Sequence, residues 1–431
     1  MSETARPYQS DSISQIRNEF LSGNKKVLLW LATGAGKTWI FSKMIKESSE
    51  RGKKSLIVVR GRKLVDQASQ RLFREGVPHG VLMSSHWNRR AHERVQVCSI
   101  DTMIARNLRP EADLIVIDEA HLASSEGYKQ FLSKYPEAFI VACTATPYVD
   151  KGLRHVADSI IHPITMDELI EQGYLCPFRY FAPSAPDMTG VKISSSTNDY
   201  VAEQAYESMI KGKLTGDIID HWQKIANGPP TLCFAVNIRH SKILAEKFNS
   251  AGIPAEHCDA DVPDKERNEI IKRLERGITK VITNVGIFCT GVDIPPLGAI
   301  ILARPTQSLN LYIQQCGRGT RLFSGKQNCI LLDHAGNIER HGLPTDEPEV
   351  NLDGTKGETH KKESKTCKEC FAVYRGPICP ECGITPRVEE RMVDLAEAPG
   401  ELKEIDPKII KGAFRNSPFK AKTRQGFRGS R

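Results

Sequence analysis

The sequence predicts an α/β fold: two parallel-sheet domains in tandem, followed by a small cysteine module and a basic tail. Three observations predict it. Short apolar runs lack the in-and-out alternation of a half-exposed strand. Amphipathic helical stretches separate those runs, the order that builds a parallel sheet between helices. The rhythm also occurs twice, on either side of a segment that breaks it.

Taken in order, the first set of runs is Val27–Leu31, Ser55–Val59, Val95–Ile100, Asp113–Asp118 and Phe139–Thr144. These define a first domain at residues 1–165. The break at 166–205 contains Gly173, Pro177, Pro183, Pro186 and the polar run Ser194–Asp199, and reads as a linker. Thr231–Val236, Lys280–Val285, Ala299–Arg304 and Cys329–Asp333 form the second set, in a domain at 206–345. The stretch Pro344–Glu363, rich in Gly, Pro and charge, closes it. The cysteine module occupies 364–386 and the tail 405–431.

Composition narrows the class. A chain of 431 residues suits two ordinary domains plus an appendage. No apolar run nears the roughly 20 residues that span a bilayer, and the start lacks a secretory pattern. A cytoplasmic, reducing location follows, without a membrane partner. Cys98, Cys143, Cys176, Cys233, Cys258, Cys289, Cys316 and Cys329 are scattered through apolar stretches and read as buried thiols. The net charge of +8 has one source: Lys408–Arg431 holds eight basic residues and no acidic one. Without those eight, 52 basic residues face 52 acidic ones.

Leu31-Ala32-Thr33-Gly34-Ala35-Gly36-Lys37-Thr38 follows the first strand and opens a helix. Small residues there let successive backbone N–H groups turn inward around a polyphosphate, aided by the helix N-terminus. Lys37 would reach the β- and γ-phosphates and the Thr38 hydroxyl would hold Mg²⁺. Thr33, Gly34, Ala35 and Gly36 supply the cradle. Asp118-Glu119-Ala120-His121 ends the fourth strand, where Asp118 can hold the Mg²⁺ shell and Glu119 can polarise the attacking water. The bland alternatives are a Gly-rich turn beside a surface lysine and an ordinary acidic loop.

With these residues in view, the chain resembles a superfamily 2 helicase of the DEAD/DEAH-box kind, over roughly residues 6–340. Arg6-Pro7-Tyr8-Gln9 resembles the adenine-reading motif, with Gln9 as base contact. Asp118–His121 is the DEAH box, and Thr144-Ala145-Thr146-Pro147 resembles motif III. Arg62-Lys63-Leu64 with Gln67, and Ser99–Thr102, resemble the phosphodiester-contacting motifs. Thr290-Gly291-Val292-Asp293-Ile294-Pro295 resembles motif V, and Gln314–Arg321 resembles motif VI. Within the superfamily the likeness is to the RadD and restriction-helicase type. Gly173-Tyr174-Leu175, Leu302–Thr306, Leu311–Gln315 and Leu332–Asn337 carry it. Two departures are Leu31 at the first position of the phosphate loop and Lys63 where a glutamate is common.

The resemblance implies two RecA-like lobes and an ATP hydrolase that moves on nucleic acid. Arg318 and Arg321 would reach from the second lobe to the γ-phosphate, since a guanidinium offers an always-charged planar fork. Gly291 and Asp293 would flank the nucleotide, Asp293 holding the ribose or an arginine across the cleft. Thr144 and Gln314 favour DNA over RNA. The other reading of Arg318 is a helix-surface cation.

Cys367-Lys-Glu-Cys370 and Cys379-Pro-Glu-Cys382 have the spacing of a four-thiolate zinc ribbon, structural and closed. A redox pair is the alternative. A protein partner at the ribbon or tail is open. In the tail Phe414, Phe419 and Phe427 interleave with the cations, a pattern that either stacks on exposed bases or merely solubilises. The expected function is thus an ATP-dependent DNA helicase or translocase in repair, recombination or replication. The competing readings are a nucleotide-gated DNA clamp or partner-recruiting switch, an RNA helicase, and the motor subunit of a restriction complex.

Overall fold

Each of the apolar runs forms a strand in the computed structural model. It describes residues 4–84, 86–211, 214–289, 291–354 and 363–385, with backbone alone at 214–217. The first lobe holds β1 (Lys26–Trp30), β2 (Ser55–Val59), β3 (Gly80–Leu82), β4 (Val95–Ser99), β5 (Leu114–Asp118), β6 (Phe139–Thr144) and β7 (Ser159–Ile161). They pair in parallel in the order β3-β4-β2-β5-β6-β1-β7. Alternate residues serve the two faces of this sheet. Val27, Leu29, Ile57 and Val59 join one core; Leu28, Leu56, Val58 and Ile117 join the other. This explains the missing alternation in the sequence, because both faces are covered by helices.

Next along the chain come β8 (Phe178–Phe181), β9 (Ile193–Ser194), β10 (Asp199–Tyr200), β11 (Thr231–Ala235), β12 (Ala255–Cys258), β13 (Val281–Asn284), β14 (Ala299–Ala303) and β15 (Cys329–Asp333). The second sheet is parallel throughout, ordered β12-β13-β11-β14-β15-β8, while β9 and β10 form a small antiparallel hairpin. Its two faces are again separately cored, by Cys233 and Ala235 on one side and Leu232 and Phe234 on the other. The eight scattered cysteines are all buried.

The expected linker at 166–205 is corrected by the structure. Its first helix, Met166–Glu171, is capped by Thr165, which accepts from the Glu168 N–H. Met166, Leu169 and Leu175 are buried in the first lobe's core. β8 then enters the second sheet beside β15. Within this expected linker, Leu175–Pro177 makes the crossing between the lobes. The boundary near Pro344 is also more than a spacer, because the chain returns to lobe 1. The Leu352 carbonyl accepts from Leu153 N–H at 2.7 Å, and Arg154 pairs with Asp353 at 2.9 Å.

The cysteine module carries β16 (Lys365–Thr366) and β17 (Val373–Tyr374), an antiparallel pair. Among the described residues no helix is long and apolar enough to cross a membrane. The basic tail at 405–431 and Thr290 lie outside the described residues.

Candidate functional site

A cleft of about 670 Å³ opens between the lobes, above the carboxyl ends of β1 and β5. Arg6, Gln9, Thr33, Gly34, Gly36, Lys37, Thr38, Asp118, Glu119, Gly291, Asp293, Arg318 and Arg321 all line it. Ala35 does not; it is fully buried and turns its carbonyl away, to Tyr8 Oη at 2.8 Å and Gln9 Nε2 at 3.4 Å.

The phosphate loop runs from β1 into the helix Lys37–Glu50. Gly34 and Gly36 sit at φ 89° and 85°, a left-handed region that favours glycine. At Gly36 a Cβ would also lie 2.4 Å from Gln9 Nε2. The Lys37 ammonium donates to the Leu31 and Ala32 carbonyls at 2.9 and 3.2 Å, so the loop itself holds it. Burial pushes the Lys37 pKa down, opposed by the charges of Glu119 and Asp118. Gln9 also accepts from the Arg6 N–H at 3.0 Å, and Arg6 lies over the Tyr174 ring at 5.0 Å.

Asp118 ends β5 and accepts from the Glu119 N–H at 3.0 Å. Burial, then the neighbouring Glu119, push the Asp118 carboxyl up to about 7, with Lys37 pulling the other way. Two adjacent carboxylates on one wall of a cleft, one of them pushed up by burial and by its neighbour, gain from a divalent cation. Thr38 lines the same cleft, and a hydroxyl with two carboxylates is an oxygen-donor set of the kind that suits Mg²⁺. Glu119 occupies the left-handed region at φ 53°, rare for a residue with a side chain, and faces the cleft.

His121 connects this box to the opposite lobe. Its Nδ1 lies 3.0 Å from Thr144 Oγ1 and 3.5 Å from Glu119, and its Nε2 lies 3.0 Å from the Gln314 amide nitrogen. Burial keeps the imidazole pKa low, so Nε2 accepts from the Gln314 N–H.

In the second lobe the helix Leu309–Gly317 gives way to a 3₁₀ turn at Arg318–Thr320. Arg318 is half-buried and donates to the Val292 carbonyl at 2.8 Å, so its guanidinium is held at the cleft wall and does not stand free on a helix surface. Arg321 pairs with Asp293 at 3.3 Å. That pair lies within one lobe, so Asp293 holds an arginine, but not across the cleft.

The lobes are closed on each other. Thr320 Oγ1 donates to the Thr33 carbonyl at 3.2 Å, Gln67 Nε2 to the Gly291 carbonyl at 2.8 Å, and Asn310 Nδ2 to the Tyr148 carbonyl at 2.8 Å. Lys63, expected among the track cations, instead packs its stem against Gly291. Sequence reasoning missed Tyr8, Tyr174 and Thr320 as parts of this site. All three lie inside stretches quoted from the sequence, so their position was the available signal.

In the cysteine module the sulfurs of Cys367, Cys370, Cys379 and Cys382 all lie within 4.8 Å of one another. Cys367–Cys382 and Cys370–Cys379 are both 3.6 Å apart. A tetrahedral zinc with bonds of about 2.3 Å needs sulfurs about 3.8 Å apart. The four thiols fit it.

Similarity to known proteins agrees with this geometry. The family model described as "Type III restriction enzyme, res subunit" matches residues 2–149, and that of the "Helicase conserved C-terminal domain" matches residues 212–322. A 51.5 kDa protein of a Lactococcus phage is 28% identical over 387 residues, 88% of this chain and 82% of the phage protein. A Saccharomyces cerevisiae protein whose name, IRC3, is given as an ATP-dependent helicase is 31% identical over 357 residues. That match covers 77% of this chain but 51% of the yeast protein, so the chain spans about half of that relative. Among solved structures, a fragment described as an HsdR subunit of a type I restriction enzyme from Vibrio vulnificus has a TM-score of 0.63 at 18% identity. It covers 82% of this chain and 67% of that one. The type ISP restriction-modification enzyme LlaBIII, bound to DNA, has a TM-score of 0.60 at 15% identity, covering 83% and 29%. At these identities the solved structures speak to the fold.

Proposed function

The chain belongs to the superfamily 2 helicases of the restriction-helicase type and is an ATP-hydrolysing enzyme of that class, and from this premise we propose that it is a DNA translocase working in repair, recombination or replication. One observation carries the motor reading. Lys37, Asp118 and Glu119 from one lobe line the same cleft as Arg318 and Arg321 from the other. The finer likeness to the RadD group rests on the sequence stretches that carry it.

In this reading Lys37 exchanges the Leu31 and Ala32 carbonyls for the β- and γ-phosphates. Thr38 and Asp118 hold Mg²⁺, which neutralises phosphate charge when bound. Glu119, turned inward by its left-handed backbone, orients the attacking water. Arg318 meets the charge that develops on the transferred phosphoryl group. Because that arginine belongs to the second lobe, hydrolysis requires a closed cleft, and product release reopens it. DNA would lie across the tops of both lobes, held chiefly at its phosphates. The zinc ribbon would be structural.

The test is ATP turnover with single-stranded, double-stranded, forked and branched DNA, and with RNA. DNA should stimulate turnover more than RNA, and strand displacement or roadblock removal should accompany it. Turnover without movement would leave a clamp in place of a motor. Replacing Arg318 with Ala should cut kcat about 10³-fold or more while nucleotide affinity is mostly kept. Persistent turnover in that variant would refute the assignment.

A further inference from the structure

The cysteine module is more than an appendage, because it grips the two passages between the lobes that lie among the described residues. At the first passage, Leu175 is buried against the phosphate loop, 3.0 Å from where a Cβ on Gly34 would sit. Cys176 N–H donates to the Thr320 carbonyl at 2.8 Å, and the Pro177 carbonyl accepts from Cys329 N–H at 2.8 Å. The passage is therefore wedged between the loop that bears Lys37 and the turn that bears Arg318 and Arg321. It continues at once into β8, the edge strand of the second sheet.

That edge is where the module docks. Phe181 makes an antiparallel bridge to Ala372, and Ala182 N–H donates to the Phe371 carbonyl at 2.9 Å. Arg179 forks onto Glu381, with Nε–Oε1 at 2.8 Å and a second, shorter contact through Nη2. Glu381 sits between two of the thiols, Cys379 and Cys382. Cys367, Ala372, Tyr374 and Cys379 share one buried cluster with Phe181. The second passage is held as well. Arg375 Nη2 donates to Asp346 Oδ2 at 2.6 Å, and the same Asp346 oxygen accepts from Leu343 N–H at 2.8 Å. One residue on, Glu347 pairs with His162 of the first lobe at 3.0 Å.

We propose that the metal-bound module is a positioning element of the motor: through Glu381–Arg179 and Arg375–Asp346 it fixes both passages, and through β8 it sets Arg318 and Arg321 over the phosphate loop. The proposal rests on the ATP-motor reading for the role of those arginines. It needs the metal. The module's regular structure is two strands of two residues each, far too little to hold the loop Pro380–Gly383 in place without four thiolates on one ion. Exposed ion pairs alone add little, so what fixes the passages is the pairs acting beside a backbone bridge and a shared core.

The experiment reverses one pair and then restores it. Glu381→Arg should keep one zinc per chain, by metal analysis, and keep KM for ATP. It should lower kcat by about tenfold or more. Dyes on Arg51 and Ser250, attached without touching the cysteines, should report a broader distribution of distances between lobes. Adding Arg179→Glu should restore both readouts. If Glu381→Arg loses its zinc, Arg179→Glu alone, outside the module, carries the same prediction. Zinc-retaining single variants with unchanged kcat and distances would overturn the proposal, as would a paired swap that restores neither. The distance measurement needs no turnover. A wild-type chain that failed to hydrolyse ATP would therefore sink the motor reading, while the distances alone still decided this one.

Discussion

At Gly317 the lobes approach so closely that a single methyl group matters. A Cβ there would lie 2.7 Å from Thr33 Cβ and 2.9 Å from its Oγ1, although the backbone at φ −59° would accept any residue. Gly317→Ala should therefore leave the fold intact and hold the cleft ajar. Misplacing Arg318 by about an ångström costs turnover on the order of 10²-fold. Thr33→Gly in the same chain should recover most of it, and wild-type kcat in the single variant would show that the lobes do not meet this way during turnover. At this scale the sequence was informative about chemistry. Lys37, Asp118, Glu119 and Arg318 stand in patterns set by phosphate and metal geometry. It did not give the partners of Thr320 and Lys63, since Thr33 and Gly291 belong in each case to the other lobe and come near only through folding.

Elements were legible according to how deeply they lie. Every strand inside the two sheets showed as a short, largely apolar run. In those two sheets the four strands that escaped notice, β3, β7, β8 and β12, are the four edges. An edge strand has one flank without a neighbour, so it can be short or polar: β7 has three residues, and β12 reads Ala-Glu-His-Cys. The linker expectation failed for the same reason, because β8 is brief and followed by prolines. The strap from Leu343 to Leu352 makes a prediction of its own. His162 has Nδ1 at 3.0 Å from the Trp30 carbonyl and Nε2 at 3.0 Å from Glu347. Burial lowers its pKa, but the two acceptors outweigh it and the net shift is upward from 6.5. The tie is thus fully present below that value and is lost as pH rises through the raised one. Hydrogen exchange at Leu153 and Arg154, whose amides bond to the Leu352 carbonyl, should quicken beyond its intrinsic rise as the pH climbs above 6.5 and through the raised value. Glu347→Gln should flatten that excess; matching profiles in the two proteins would exclude the tie.

For the whole molecule, a cleft walled by both lobes predicts that nucleotide stabilises them together. A non-hydrolysable ATP analogue with Mg²⁺ at a hundred times its Kd adds about 2.7 kcal/mol to whatever unit binds it. Calorimetry should show both lobes melting later by several degrees, in one shifted transition or two shifted ones. A shift confined to one lobe would mean the other contributes no binding energy. The two-lobed plan was readable from the doubled rhythm of the sequence, but the chain's return to lobe 1 after Leu343 was not, since Pro344–Glu363 carries no periodic pattern. That return has a mechanical consequence. Among the described residues the chain ties the second lobe to the first at two separate points, Leu175–Pro177 and Leu343–Leu352, like a door hung on a pair of pins. Two such ties favour a swing about the line that joins them over a free separation of the lobes.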